Sequence, residues 1–302
     1  MNALVIGGQG FIGTEVVRAL LSRGVNVTVA DRVASPSECK QLFGPSAVRA
    51  QRVDILDASA MRTLTIGFDT VYHMAGELGT LELDDDVLTA INVNIIGAVN
   101  VFEACVENGV PVVFYPSKPN VWLNTYTITK FASEQFAQLY SAKGNTRICS
   151  LRYFNAYGPS QHVGPPRKIV PSFAQRAMRG LPIEVFGSGE QVIDMIYASD
   201  LGRITVDFAS AARNAIPQDC GRGVGMTAND IAKAVNAHFN NSAGIKHLPV
   251  RRGETPDTRC VADIKPLQEL LGDLKFASWE ASLASTLDWY ANQPLIPSGA
   301  VA

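Results

Sequence analysis

Tyr126 and Lys130 are the two residues whose types and spacing could do chemistry together. They stand four apart in Thr125–Ala142, where the apolar spacing predicts a helix, so they share one face of it. A lysine ammonium beside a phenol favours the phenolate. A phenol with its pKa lowered in this way is a general base for a hydroxyl. Taking that proton is most useful when the hydroxyl's carbon gives up hydride, and hydride needs an acceptor held nearby.

The start of the chain supplies a place for one. Leu4–Gly13 reads Leu-Val-Ile-Gly-Gly-Gln-Gly-Phe-Ile-Gly. Leu4, Val5 and Ile6 read as a buried strand, and Gly7, Gly8, Gly10 and Gly13 turn the backbone. From Phe11 to Leu21 the apolar residues recur at helical spacing, so a helix starts inside the glycines. Strand, glycine turn and helix in that order make a dinucleotide site. The first glycine permits the tight turn, the middle one lets backbone approach a pyrophosphate, and the last lets helix pack on strand. The free N–H groups and dipole of the helix N-terminus favour the phosphates. A second strand, Val25–Ala30, ends in Asp31, 18 residues after Gly13. An acid there accepts hydrogen bonds from ribose hydroxyls and selects NAD over NADP. The positive nicotinamide ring would further favour the Tyr126 phenolate.

Composition narrows the class. The chain has 302 residues, 47% of them hydrophobic, and a net charge of -2 with no long block of one sign. That balance speaks against a nucleic-acid surface. Nothing approaches a membrane span on this reading, and the first strand begins at Met1, which leaves no room for a signal peptide. Cys39, Cys105, Cys149, Cys220 and Cys260 are scattered and odd in number, as expected of free thiols in a reducing cytoplasm. The four histidines (His73, His162, His238, His247) are equally dispersed, so no metal site is expected.

The elements that must position these residues alternate. Candidate strands are Val48–Val53, Thr70–Met74, Val110–Tyr115 and Arg147–Tyr153; candidate helices are Ala58–Ile66, Val87–Asn108 and Thr125–Ala142. The polar stretch from Asp31 to Gly44 reads as a loop with room for a short helix. This alternation predicts an α/β fold, a Rossmann-type doubly wound parallel sheet covered on both faces. Ligands bind such sheets beyond the carboxyl ends of the strands, where Gly7, Asp31, Asp54, Ala75, Ser117 and Asn155 fall. After Gly158-Pro159 the pattern changes to a proline-containing loop and then to helices at Ile169–Arg179, Asp200–Ala212, Thr227–Asn240, Ile264–Leu271 and Ser278–Asn292, with a short strand at Ile183–Phe186. Thr227 is suited to cap its helix, with Asp230 three residues on. The expected division is a dinucleotide domain over 1–157 with a returning segment at about 192–222. A smaller, mostly helical substrate-binding domain would comprise 158–191 and 223–293, followed by a tail over 294–302.

From about Asn2 to Gly272 the chain resembles the extended short-chain dehydrogenases/reductases, the NAD-dependent nucleotide-sugar epimerases and dehydratases. The markers are the glycine turn at 7–13, Asp54-Ile55, Val-Tyr-His-Met-Ala-Gly at 71–76, Asn-Val-Asn-Ile-Ile-Gly at 92–97, Tyr126/Lys130 and Leu-Arg-Tyr-Phe-Asn-Ala-Tyr-Gly-Pro at 151–159. The resemblance implies that Gly7, Gly10 and Gly13 form the pyrophosphate turn, with Phe11 and Ile12 donating backbone N–H. It assigns Asp31 and Arg32 to the adenosine ribose, Asp54-Ile55 to the adenine, and Met74-Ala75-Gly76 to the nicotinamide ribose wall. Asn92 resembles the asparagine that braces the neighbouring loop. Lys130 would hold the nicotinamide ribose as well as serve Tyr126, and Asn155 would meet the substrate pyrophosphate. His73 reads as structural. Two helices, Val87–Asn108 and Thr125–Ala142, resemble those that pair between subunits of a homodimer, with Val99, Phe102, Val106, Phe131, Phe136 and Leu139 as surplus apolar residues.

Three departures from the family pattern bear on the reaction. The usual catalytic serine or threonine is replaced: counting back from Val121 puts Lys118 at that position, with Ser117 beside it. The loop from there to Tyr126 is shorter than usual. The arginine expected before Asp194 is Ile193, which leaves Arg252 as the candidate for the nucleotide diphosphate. Dehydratases of the family resemble one another in an Asp-Glu pair just after the catalytic hydroxyl, and decarboxylases in a Glu there. Ser117-Lys118-Pro119-Asn120 has no carboxylate. The resemblance therefore favours an epimerase acting at C4 of a nucleotide-diphosphate sugar. A dehydratase, a decarboxylase drawing on a carboxylate such as Glu77, a 4-keto reductase and a catalytically silent NAD-binding protein are the alternatives.

Overall fold

The computed structural model describes residues 1–79, 81–251 and 255–295. Its largest element is a sheet of seven strands in the order β10-β6-β5-β4-β1-β2-β3, every neighbouring pair parallel. Six of them are β1 (Asn2–Ile6), β2 (Asn26–Asp31), β3 (Val48–Arg52), β4 (Thr70–His73), β5 (Val112–Ser117) and β6 (Arg147–Tyr153). The later strands are β7 (Asn155–Tyr157), β8 (Ile183–Phe186), β9 (Val192–Tyr197), β10 (Gln218–Cys220), β11 (Gly225–Thr227), β12 (Ile245–Leu248) and β13 (Arg259–Cys260). The helices are α1 (Phe11–Leu21), α2 (Pro36–Phe43), α3 (Ala58–Leu64), α4 (Glu82–Asp85), α5 (Val87–Ala90), α6 (Gly97–Glu107), α7 (Thr125–Lys143), α8 (Ile169–Ala177), α9 (Ala198–Ala211), α10 (Ala228–His238), α11 (Lys265–Leu271) and α12 (Trp279–Ala291).

Central strands buried on both faces explain why they read as unbroken apolar runs. One core lies under α1 and α9 and includes Val5, Val29, Phe114 and Leu201. The other lies under α3, α6 and α7 and includes Leu4, Ile6, Val71, Phe102 and Tyr115. The strand order reverses between β1 and β4, so the crevice beyond their carboxyl ends is the natural ligand site. Residues Ala198–Cys220 return to this sheet, α9 packing on α1 and β10 pairing with β6.

A third core joins α8, α10 and α12 through Val170, Phe173, Ile231, Val235, Leu283 and Tyr290. Beside it, β7, β9, β11 and β13 make a small sheet and β8 pairs with β12. The Thr227 cap is a full capping box with Asp230. All five cysteines are free, and only Cys260 is less than fully buried.

Two expectations about the run from Val87 change. It is not one regular helix: α5 passes through a π-helical turn, Ile91–Ile96, into α6. Nor is it true that nothing approaches a membrane span. Val87–Glu107 is long and apolar enough to cross a membrane by length and composition, with a mean hydropathy of 1.5. Here Ala98, Val101, Phe102, Ala104 and Cys105 of the run are buried in the core against the sheet.

Candidate active site

The glycine turn is built by close approach. Gly7 sits at φ +81°, and a Cβ there would come 2.6 Å from the Ala75 amide nitrogen, so β1 and β4 could not splay around a side chain. A Cβ on Gly13 would lie 2.0 Å from the Gly7 carbonyl oxygen. Gly10 is the N-cap of α1, and the Thr14 N–H donates to its carbonyl at 2.9 Å. The N–H groups of Phe11, Ile12 and Gly13, in the first turn, are the ones a helix leaves without intrahelical partners. These residues fit a dinucleotide: a cradle with no room for side chains, opening on a helix N-terminus.

Asp31 closes β2 at the same edge, and Arg32 reaches from it to Glu77, Nη2 to Oε1 3.5 Å. Asp54 accepts the Leu56 N–H at 2.9 Å, shaping the turn after β3. Ile55 is buried against α6, where Gly97 leaves space for it, and its carbonyl accepts from Asn100 at 2.9 Å. Met74 N–H donates to the Ile6 carbonyl at 2.7 Å, and Ala75 lies against the glycine turn.

The loop after β4 is braced by Asn94, not by Asn92. Asn94 is buried; its Oδ1 accepts the Glu77 N–H at 2.8 Å and its Nδ2 donates to the Glu77 carbonyl at 3.1 Å and to Thr129 Oγ1 at 3.2 Å. Gly76 makes room, since a Cβ there would meet Asn94 Oδ1 at 3.1 Å. Asn92 is exposed. The π-helical turn sets which of the two asparagines in Asn-Val-Asn faces inward, and such turns are frequent at functional sites.

Tyr126 and Lys130 occupy the first two turns of α7. The helix starts where it does because Asn124 Oδ1 accepts the Thr127 N–H and Asp84 Oδ1 accepts the Thr125 N–H, both at 2.8 Å. Lys130 is buried, with its ammonium 4.1 Å from the centre of the Tyr115 ring. Burial pushes the Lys130 amine down to about 7, against the opposing charge of Glu134. The phenol does not follow the sequence expectation: burial pushes Tyr126 upward in the protein alone. Desolvation disfavours both charged forms, the phenolate and the ammonium alike. His73, buried behind them, is driven to about 3 by burial and by the Lys130 charge, and so is neutral.

Ser117 ends β5 with its Oγ buried and without a partner among the described atoms. Lys118 follows. Its Nζ donates to the Pro119 carbonyl at 2.7 Å and to Thr127 Oγ1 at 2.8 Å, and lies 5.8 Å from the centre of the Tyr126 ring and 5.7 Å from that of Trp122. Burial brings it down to about 8. Asn155, exposed at the start of β7, stands just beyond the carboxyl end of β6.

Ile193 packs at the edge of the third core. Arg252 lies outside the described residues. Sequence reasoning missed a cationic group in the smaller unit. Arg251 and Arg167 stand over the Phe186 ring, their guanidinium carbons 4.9 and 5.9 Å from its centre. Burial, with the Arg251 charge adding to it, brings Lys168 down to about 8. These three are far apart or unpatterned in sequence and carry no motif.

With this geometry the chain can be set beside known proteins. A 25% identical relative is the UDP-N-acetyl-alpha-D-glucosaminuronate decarboxylase of Bacillus cytotoxicus, aligned over 96% of this chain and 97% of that protein. The dTDP-glucose 4,6-dehydratase of Mycolicibacterium smegmatis is 27% identical over 96% of this chain and 93% of its own. The crystal structure of UDP-glucuronic acid 4-epimerase from Bacillus cereus, in complex with UDP-glucuronic acid and NAD, superposes with a TM-score of 0.87 at 26% identity. The match covers 96% of this chain and 99% of that one. A sequence profile matches residues 3–219, and through it the chain belongs to the NAD dependent epimerase/dehydratase family.

Proposed function

We propose that the protein is an NAD-dependent nucleotide-sugar epimerase that inverts C4 through a transient 4-keto sugar. The relatives above perform different reactions on the same scaffold, so the choice rests on this chain's own residues. The observation that carries it is the absence of any carboxylate in Ser117-Lys118-Pro119-Asn120, where Lys118 brings an ammonium to the side of Tyr126. Glu77, in the loop after β4, is turned toward Arg32, and Asp84 is engaged with the Thr125 N–H at the start of α7. Elimination would need a further acid and base, and this segment has no carboxylate to supply either.

Bound NAD would supply the hydride acceptor for the carbinol carbon and the donor for its return. Gly7, Gly10, Phe11, Ile12 and Gly13 would hold its pyrophosphate, Asp31 and Arg32 its adenosine ribose, Asp54 and Ile55 its adenine, and Met74, Ala75, Gly76 and Lys130 its nicotinamide side. Tyr126 takes the hydroxyl proton and gives it back. Ser117 and Lys118 donate to the reacting oxygen, Lys118 keeping its third N–H for that use. Asn155 binds the substrate pyrophosphate. Arg167, Lys168 and Arg251 supply the cations that Ile193 does not.

Incubating the protein with a panel of nucleotide sugars and no added cofactor, then weighing the products, tests the reaction. Uridine diphosphate sugars are the first to try, as the Bacillus cereus epimerase was crystallised with one. Epimerisation conserves mass; loss of water or carbon dioxide overturns the proposal. Binding of NAD with no conversion of any sugar would favour the silent reading.

We also propose a homodimer. Phe102 belongs to the core and cannot serve an interface, but Leu88, Ile96, Ile128, Phe131, Phe136 and Leu139 are exposed along the same two helices. An apolar face of this kind marks an interaction site, and a two-fold pair is the commonest solution. Light scattering should give twice the 32.4 kDa chain mass at micromolar concentration. The monomer mass throughout would contradict it.

A further inference from the structure

Glu134 follows Lys130 by four residues on α7, the spacing at which a lysine and a glutamate meet on one helix face. Glu134 is fully buried, at 0% exposure. A buried carboxylate with no partner would draw in the nearest cation, and that cation is Lys130. The sheet prevents it. Arg152, on β6, donates Nε to Glu134 Oε2 at 2.9 Å and Nη2 to Oε1 at 2.7 Å. Both carboxylate oxygens are thus taken by one planar fork. Among the described residues Lys130 Nζ makes no hydrogen bond, and its partner is the face of the Tyr115 ring.

We propose that Arg152 is a positioning residue: by occupying Glu134 it keeps the Lys130 ammonium free to serve Tyr126. The inference rests on Tyr126 and Lys130 being the catalytic pair. The groups facing Lys130 are Tyr115 from β5, His73 from β4 and Glu134 from α7 itself, with Tyr126 one helical turn before it on α7. Arg152 from β6 stands behind Glu134, with Asp219 of β10 beyond it. His73 is neutral, so Glu134 is the anion that competes for Lys130.

The test reads the Tyr126 phenol directly, by ultraviolet difference titration of the NAD complex with the Tyr126→Phe protein as reference, so it needs no sugar. In Arg152→Met, Glu134 should capture Lys130, and the Tyr126 titration should move up by about one pH unit. Turnover of any accepted sugar at neutral pH should fall about tenfold, with KM unchanged. In Arg152→Met/Glu134→Gln no competing carboxylate remains, and the titration should return to the wild-type position. Should Arg152→Met fail to fold, Arg152→Lys carries the same test, since one ammonium cannot hold both oxygens and a smaller upward shift is expected. An unshifted titration in the single variants, or a double variant still shifted, overturns the inference. A protein that does not bind NAD at all would instead overturn the reading of the site.

Discussion

Replacing Tyr126 with phenylalanine is expected to cut sugar turnover at least about a hundredfold, the low end of what a positioned acid–base group contributes. The ring stays, so its packing at the start of α7 is kept and NAD should remain bound. The competitor for the role is Lys118. Its Nζ is 5.8 Å from the centre of the Tyr126 ring, and at about 8 it can exchange a proton near neutrality. A Tyr126→Phe variant that turns over near the normal rate would assign the base to Lys118. The pH profile separates the two further. Burial pushes the Tyr126 phenol up, so sugar oxidation by the wild type should speed up as pH rises and the phenolate forms. Tyr126→Phe should lose that rising limb. Charge on Lys130 favours the phenolate, and burial tends to remove it above about pH 7.

What could be read from the sequence was what depends on near neighbours. The glycine turn, the end of β2 at Asp31 and the placing of Tyr126 and Lys130 on one helix follow from local spacing, and the parallel sheet follows from alternating elements. The bracing asparagine came out two residues wrong because Asn92 and Asn94 are equivalent by pattern, and only the π-helical turn decides between them. The Tyr126 phenol was expected low because a pattern shows the neighbouring cation but not the depth of burial. Arg152 was in view within the 151–159 motif, yet its partner Glu134 is joined to it only by the packing of α7 on β6. The strands β10, β11 and β13 are three residues or fewer, too short to show a period. The cations at Arg167, Lys168 and Arg251 are gathered by the fold of the smaller unit, which no local signal announces.

Gly13→Ala should abolish useful NAD binding, raising Kd by on the order of a hundredfold or more. The added Cβ would lie 2.0 Å from the Gly7 carbonyl oxygen, 2.9 Å from the Gly7 carbonyl carbon and 3.0 Å from Gly8 Cα. All three are backbone atoms, so no rotamer change relieves the overlap. Either α1 must lift from the turn or the turn must open, and both move the N–H groups of Phe11 and Ile12. Overpacking of this kind costs about 1–3 kcal/mol in a core, and about 2.8 kcal/mol is already a hundredfold in Kd. Gly10→Ala is the informative contrast. Its Cβ would meet only the Gly7 carbonyl oxygen, at 3.2 Å, and its φ of -70° suits any residue. That variant should keep the wild-type Tm without cofactor and still bind NAD more weakly, because the methyl occupies space where the pyrophosphate approaches the backbone. Calorimetric titration with NAD, with melting curves taken with and without it, reads both effects. If Gly13→Ala binds NAD as tightly as the wild type, the turn is not the cofactor's cradle. A Gly10→Ala protein that loses stability but not affinity would reverse the roles assigned to the two glycines.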